Sequence, residues 1–188
     1  WIDFNRDGDW ADAGEKIFAG QVLGVGLNSL GFTTPITAVP GATYARFRYS
    51  STGGLSYTGA AADGEVEDYQ VDIVAGKDWG DAPSPYPTLT PTGANHTIVP
   101  GMFMGSLIDA EANGQPNSTA TGDDVTGVDD EDGVAFQLPL QAGTTGRTMV
   151  YVSVYGHVDA WIDFNQDGDW ADPGEQIVTS YPVVNYAR

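Results

Sequence analysis

Cysteine is absent from the 188 residues, and with it go disulfides, thiolate nucleophiles, cysteine zinc sites, iron–sulfur clusters and covalent haem attachment. Positive charge is scarce: seven Lys plus Arg face 26 Asp plus Glu, a net charge of -19. A field of that sign repels phosphate backbones and anionic headgroups, so nucleic acid and membrane surfaces are poor partners, and no nucleic-acid partner is expected. No run of about 18 apolar residues occurs, so nothing is suited to membrane insertion as a helix, and no charged-then-apolar start reads as a signal peptide. Helical signal is missing too. No stretch of about 12 residues joins apolar positions at helical spacing to a credible cap, which predicts very little helix, under about a tenth of the chain.

What is present suits an ordinary core: 41% of residues are apolar and 11% aromatic, enough for one domain of usual size or two small ones. Glycine (25) and proline (11) make about a fifth of the chain, so turns must be frequent. An acidic chain without cysteine fits a secreted protein that takes its cross-links from divalent cations. Extracellular or cell-surface placement is therefore expected.

The sequence repeats itself. WIDFNRDGDWADAGEKIF at 1–18 returns as WIDFNQDGDWADPGEQIV at 161–178, with 14 of 18 positions identical at an offset of 160. A tandem array with a unit near 160 residues accounts for this; two unequal copies within one domain is the alternative. Period-two alternation marks strands at Tyr44–Tyr49, Tyr69–Val74 and Met149–Val154, and an apolar run at Val134–Leu138 reads as another. Trp1–Phe4 and Trp161–Phe164 read as strands running into acidic loops. Short strands separated by Gly, Pro, Asn and Asp predict an all-β fold, an antiparallel, jelly-roll-like β-sandwich with calcium-binding loops. Lys77–Pro91, with four prolines, is poor in strand signal and reads as an extended linker or an edge-hugging entry into a new unit. The expected domains are 1–76 and 77–188. Asp109–Gly133 is a long acidic loop, and a structureless segment of that length is usually functional.

The repeated motif spaces its oxygen-bearing side chains alternately: Asp3, Asn5, Asp7 and Asp9, then Asp12 and Glu15. The second copy supplies Asp163, Asn165, Asp167, Asp169, Asp172 and Glu175. Glycine at the sixth place, Gly8 or Gly168, lets the backbone turn sharply around a hard cation, as in calcium loops. Two features depart from the helix–loop–helix form. The twelfth place is Gly14 or Gly174, with Glu one later, and strands rather than helices flank the loop. Folding the first loop empty would bring like charges together, at a cost on the order of 4 kcal/mol per pair at about 4 Å and an effective dielectric near 20. Calcium is the expected ion. A solvated acidic turn is the alternative, and Mg²⁺ fits less well because it retains more water.

Two further acidic groups are less regular. Asp123, Asp124, Asp129, Asp130, Glu131 and Asp132 form a run closed by Gly133, read as either a metal site or a solvated loop; Asp63, Glu65, Glu67 and Asp68 either bind metal or pair with Arg46 and Arg48. No G-x-S-x-G, H-E-x-x-H or phosphate-cradling glycine loop occurs, and His96 and His157 stand alone, so no enzymatic activity is expected. Asn95-His96-Thr97 and Asn117-Ser118-Thr119 match the N-glycosylation pattern.

Gly64-Glu65-Val66-Glu67-Asp68-Tyr69, preceded by Tyr44-Ala45-Arg46-Phe47-Arg48 and the WIDFN-x-DGDW loop, resembles the GEVED domain of large bacterial secreted and cell-surface proteins. Asp78-Trp79-Gly80-Asp81-Ala82-Pro83, Asp109-Ala110-Glu111 and Asp129-Asp130-Glu131-Asp132-Gly133-Val134 resemble the part that precedes WIDFN in such proteins. In that order, 1–76 is the back half of one repeat unit and 77–188 the front half of the next. The resemblance implies an extracellular structural or adhesive repeat with bound Ca²⁺, whose partners are neighbouring repeat units or identical subunits arranged head to tail. It carries over no catalytic residues. The competing expectation is a calcium-dependent carbohydrate-binding module in which Trp10, Trp170, Tyr57 and Trp79 stack on glycans.

Overall fold

A computed structural model describes residues 1–122, 130–137 and 139–183. Among these there is no helix, and eight strands pair two by two into four antiparallel sheets: β1 (Gly41–Tyr49) with β2 (Glu65–Ile73), β3 (Lys77–Trp79) with β4 (Asn95–Thr97), β5 (Val134–Phe136) with β6 (Thr148–Val150), and β7 (Gly156–Trp161) with β8 (Gln176–Val183). The fold is all-β. The chain divides into two compact units, Trp1–Ala75 and Gly76–Arg188.

In the first unit, β1 forms because the period of two puts Thr43 and Ala45 on one buried face. Ile2 bridges to Ala45 on the side of β1 away from β2, so the Trp1–Phe4 segment contributes one bridge rather than a full strand. Ile2, Phe4 and Ala45 are the buried centre, with Ile17, Ala38, Val71 and Ile73 packed on it. Strand β2 starts four residues before the expected Tyr69, because Arg46 sits opposite Asp68 in the register and grips it with two hydrogen bonds, Nε–Oδ1 at 2.8 Å and Nη2–Oδ2 at 2.6 Å. Arg48 instead donates to the carbonyls of Ser56, Thr58 and Gly59, tying down the connecting loop. Asp63 caps that loop through Ser51.

The guanidinium of Arg46 holds the Asp68 carboxyl below its ordinary range. A depressed folded-state value means stabilisation that is present at neutral pH and lost as pH falls below the usual carboxylate range. Because the pair is substantially exposed, Asp68→Asn is expected to cost only about 1 kcal/mol or less at pH 7. Urea unfolding at pH 7 and in acid checks this: the gap between parent and variant should close in acid, and a gap that persists there contradicts the ion pair.

In the second unit, Lys77–Trp79 is a strand and not part of the linker, since its backbone pairs with Asn95–Thr97; the proline-rich stretch after it has no strand partner. Trp79 and Ile98 are the buried large apolar side chains of this unit among the described residues. The β5 and β6 strands are shorter than the expected Val134–Leu138 and Met149–Val154: Leu138 lies outside the described residues, and Val152 makes an isolated bridge to Met104. Strand β7 ends at Trp161, which delivers the chain into the second acidic loop.

Candidate metal centres

Each acidic loop is built by its own side chains. In the first, Asp3 accepts the N–H of Arg6 on Oδ1 (2.6 Å) and that of Gly8 on Oδ2 (3.1 Å). Asn5, Asp7 and Asp9 each accept the N–H two residues on, at 3.1, 3.1 and 2.7 Å. Such a staircase of Asx turns winds the backbone tightly and aims the remaining oxygens inward. Gly8 and Gly14 have φ of +97° and +95°, a conformation that explains glycine at the twelfth place of the loop as well as the sixth.

The second loop reproduces this almost bond for bond. Asp163 accepts from Gln166 (2.5 Å) and Gly168 (3.0 Å), Asn165 from Asp167 (3.0 Å), Asp167 from Asp169 (3.2 Å) and Asp169 from Ala171 (2.8 Å). Gly168 and Gly174 again have positive φ, +94° and +98°. Arg6 and Gln166 share a left-handed φ of about 60°, so this position is set by the loop's geometry and not by a charge.

In the first loop, one oxygen from each of Asp7, Asp9 and Asp12 lies within 4.8 Å of the others, all exposed. Two oxygens that share one calcium ion at about 2.4 Å each lie at most about 4.8 Å apart, so this spacing fits the ion. Asn5 Nδ2 donates to Asp12 (2.7 Å) and Asp7 (3.3 Å), and Asn165 does the same to Asp172 (2.6 Å) and Asp167 (3.0 Å). The loop's one basic residue does not neutralise it. Arg6 turns away to donate to the carbonyls of Pro40 (2.6 Å) and Ala42 (3.1 Å).

Glu15 and Glu175 sit at the base of their loops, 2% and 3% exposed. Glu15 accepts the N–H of Phe4 (3.0 Å) and of Asp12 (3.3 Å); Glu175 accepts those of Phe164 (3.2 Å) and Asp172 (3.3 Å). Their backbones also close the loop, Ile2 to Glu15 O and Ile162 to Glu175 O, both at 2.9 Å. Burial pushes the Glu15 carboxyl above its usual range, while the two backbone donors oppose that rise. The position one place late in the loop thus puts this carboxylate between strand and loop, apart from the convergent Asp7, Asp9 and Asp12.

In the second unit a further group comes together: Asp78 on β3, Glu111 and Asp130 each offer an oxygen within 4.8 Å of the other two. Asp130 belongs to the acidic run singled out in the sequence, but Asp78 and Glu111 do not; only the resemblance-bearing segments around 78 and 109–111 pointed to them. Asp132 faces elsewhere, accepting the N–H of Ser106 (2.9 Å). Asp123, Asp124 and Asp129 lie outside the described residues. Asp63, Glu65, Glu67 and Asp68 form no convergent group: Asp63 holds Ser51, Asp68 holds Arg46 and Glu67 accepts from the Tyr69 hydroxyl.

The aromatic residues beside the loops are engaged within their own units. Trp10 donates to Tyr44 O (3.1 Å), lies under the Arg46 guanidinium (4.6 Å) and meets Tyr57 edge-on. Trp170 stacks on Tyr86 at 4.4 Å, and the Tyr86 hydroxyl donates to Asp163 Oδ2 (2.7 Å). That bond raises the tyrosine to about 12 and lowers the aspartate. Trp79 is 6% exposed.

The family model for the GEVED domain matches residues 1–72. The chain matches no curated protein and no solved structure at a significant level.

Proposed function

We propose, from the premise that residues 1–72 are a GEVED domain, that the chain is a calcium-stabilised structural module of an extracellular surface protein or filament, without catalytic activity. The observation that carries this reading is the convergence of Asp7, Asp9 and Asp12 within 4.8 Å while Arg6 is turned away. Three carboxylates so placed repel one another unless a cation lies among them, and their hard oxygen donors suit calcium. The ion would lock the strand that enters each loop, making loading a folding term. Thermal unfolding with calcium and with chelator tests it.

The partners of such a module would be neighbouring repeat units or identical subunits, whose strands complete a jelly-roll-like sandwich. Support comes from what the strands leave uncovered. An isolated two-stranded sheet is marginal in water, yet β1 and β2 expose Tyr44, Phe47, Tyr49, Val66 and Tyr69, and the segment before them exposes Val25 and Leu27 almost fully. Head-to-tail pairing of such surfaces propagates without closing. Sedimentation velocity in calcium is expected to give a mass that rises with protein concentration; a single monomeric species at every concentration tested would remove the self-associating form of the proposal.

A further inference from the structure

Three chain segments meet in the second unit to bury carboxylates together. Asp78 comes from β3, and Glu111 is fastened beside it: its N–H donates to Lys77 O (2.9 Å) and its Oε2 accepts the N–H of Trp79 (3.0 Å). The N–H of Asp109 donates to Asp130 Oδ2 (3.2 Å), which draws the third segment in. Asp78, Glu111 and Asp130 are each half-buried, unlike the exposed Asp7, Asp9 and Asp12.

Unmet polar demand separates this group from a solvated acidic face. Glu111 Oε1 and Asp109 Oδ1 are closed off from solvent and meet no N–H donor among the described residues; the two carboxyl side chains lie within hydrogen-bond reach of each other instead. Trp79, 94% buried by its 6% exposure, lines a cavity of about 360 Å³ together with Asp78 and Asp130, and its Nε1 is likewise without a partner. A carboxylate oxygen withdrawn from water is costly unless a cation or donor meets it. The lysine on the same strand does not serve. Lys77 Nζ donates to Asn95 Oδ1 (2.9 Å) and lies over the Trp79 ring. A hydrated divalent ion answers both demands: the metal meets the carboxylates, and a water of its shell meets the indole N–H.

We infer that Asp78, Glu111 and Asp130, with Asp109 behind them, form a second kind of binding site for a hard divalent cation, calcium by its donor set. It lies outside residues 1–72 and does not depend on the WIDFN loops.

The test uses the full chain carrying Asp7→Asn and Asp167→Asn, so that ions in the two loops do not contribute. Equilibrium dialysis is expected to find one calcium per chain, bound about tenfold or more weakly after Glu111→Gln. Terbium in place of calcium should show tryptophan-sensitised emission that is mostly lost in Trp79→Phe. That variant leaves every carboxylate in place and remains decisive if Glu111→Gln does not fold. No bound ion in the loop-disabled chain, or emission indifferent to Trp79→Phe, overturns the inference. So does a Glu111→Gln chain that unfolds at higher temperature while calcium leaves its parent unmoved, the behaviour of two acids that merely share a proton.

Discussion

Calcium added to the chelator-treated protein should raise its midpoint of thermal unfolding by about 10 °C or more. At about a hundred times the dissociation constant a ligand specific for the folded state contributes about 2.7 kcal/mol, and units of this size shift by about 4–8 °C per kcal/mol. The double variant Asp7→Ala/Asp167→Ala should lose most of that rise, since each change removes a loop carboxylate and its Asx turn to Asp9 or Asp169. The comparison is between loaded and unloaded forms of each chain, so any intrinsic cost of the substitutions cancels. Magnesium should do much less, because it dehydrates reluctantly and demands near-octahedral geometry. An equal rise with magnesium, or an undiminished rise in the double variant, would remove calcium from these loops.

A different outcome is expected at the base of the loop. Glu15→Ala should destabilise the first unit by about 3 kcal/mol or more even in chelator, because it strands the buried N–H of Phe4, removes the acceptor of the Asp12 N–H and leaves a cavity. Glu15→Gln should be milder, retaining one oxygen as an acceptor. Urea unfolding followed by tryptophan fluorescence reads both. If Glu15→Ala unfolds like its parent in chelator and differs only in calcium, then Glu15 acts as a ligand and not as the brace between strand and loop. The two experiments together separate the residues that hold the ion from the residue that holds the loop.

Much of this was legible in residue order alone. The repeat at 1–18 and 161–178, its alternate oxygen side chains and the glycine at the sixth place come from spacing, and the Asx staircase is a local structure that such spacing dictates without distant contacts. The all-β character followed for the same reason, since period-two alternation and frequent turns are short-range signals. The GEVED segment was readable from Gly64–Tyr69 and is matched over 1–72.

Other features depended on contacts between residues far apart in the chain. Glu15 looked like one more ligand; only burial against Phe4 and the closing bond from Ile2 separate it from Asp12, three places away. Arg6 is the one basic residue within the loop, but the carbonyls of Pro40 and Ala42, more than 30 residues on, claim it. The group of Asp78, Glu111 and Asp130 spans 53 positions of sequence and has no spacing by which to be recognised. Residue order determined which oxygens exist and how each loop turns, because those are short-range matters of backbone and side-chain geometry. The tertiary structure decided which oxygens are buried, which face one another and which are left without a donor, because desolvation and charge proximity are properties of packing in space.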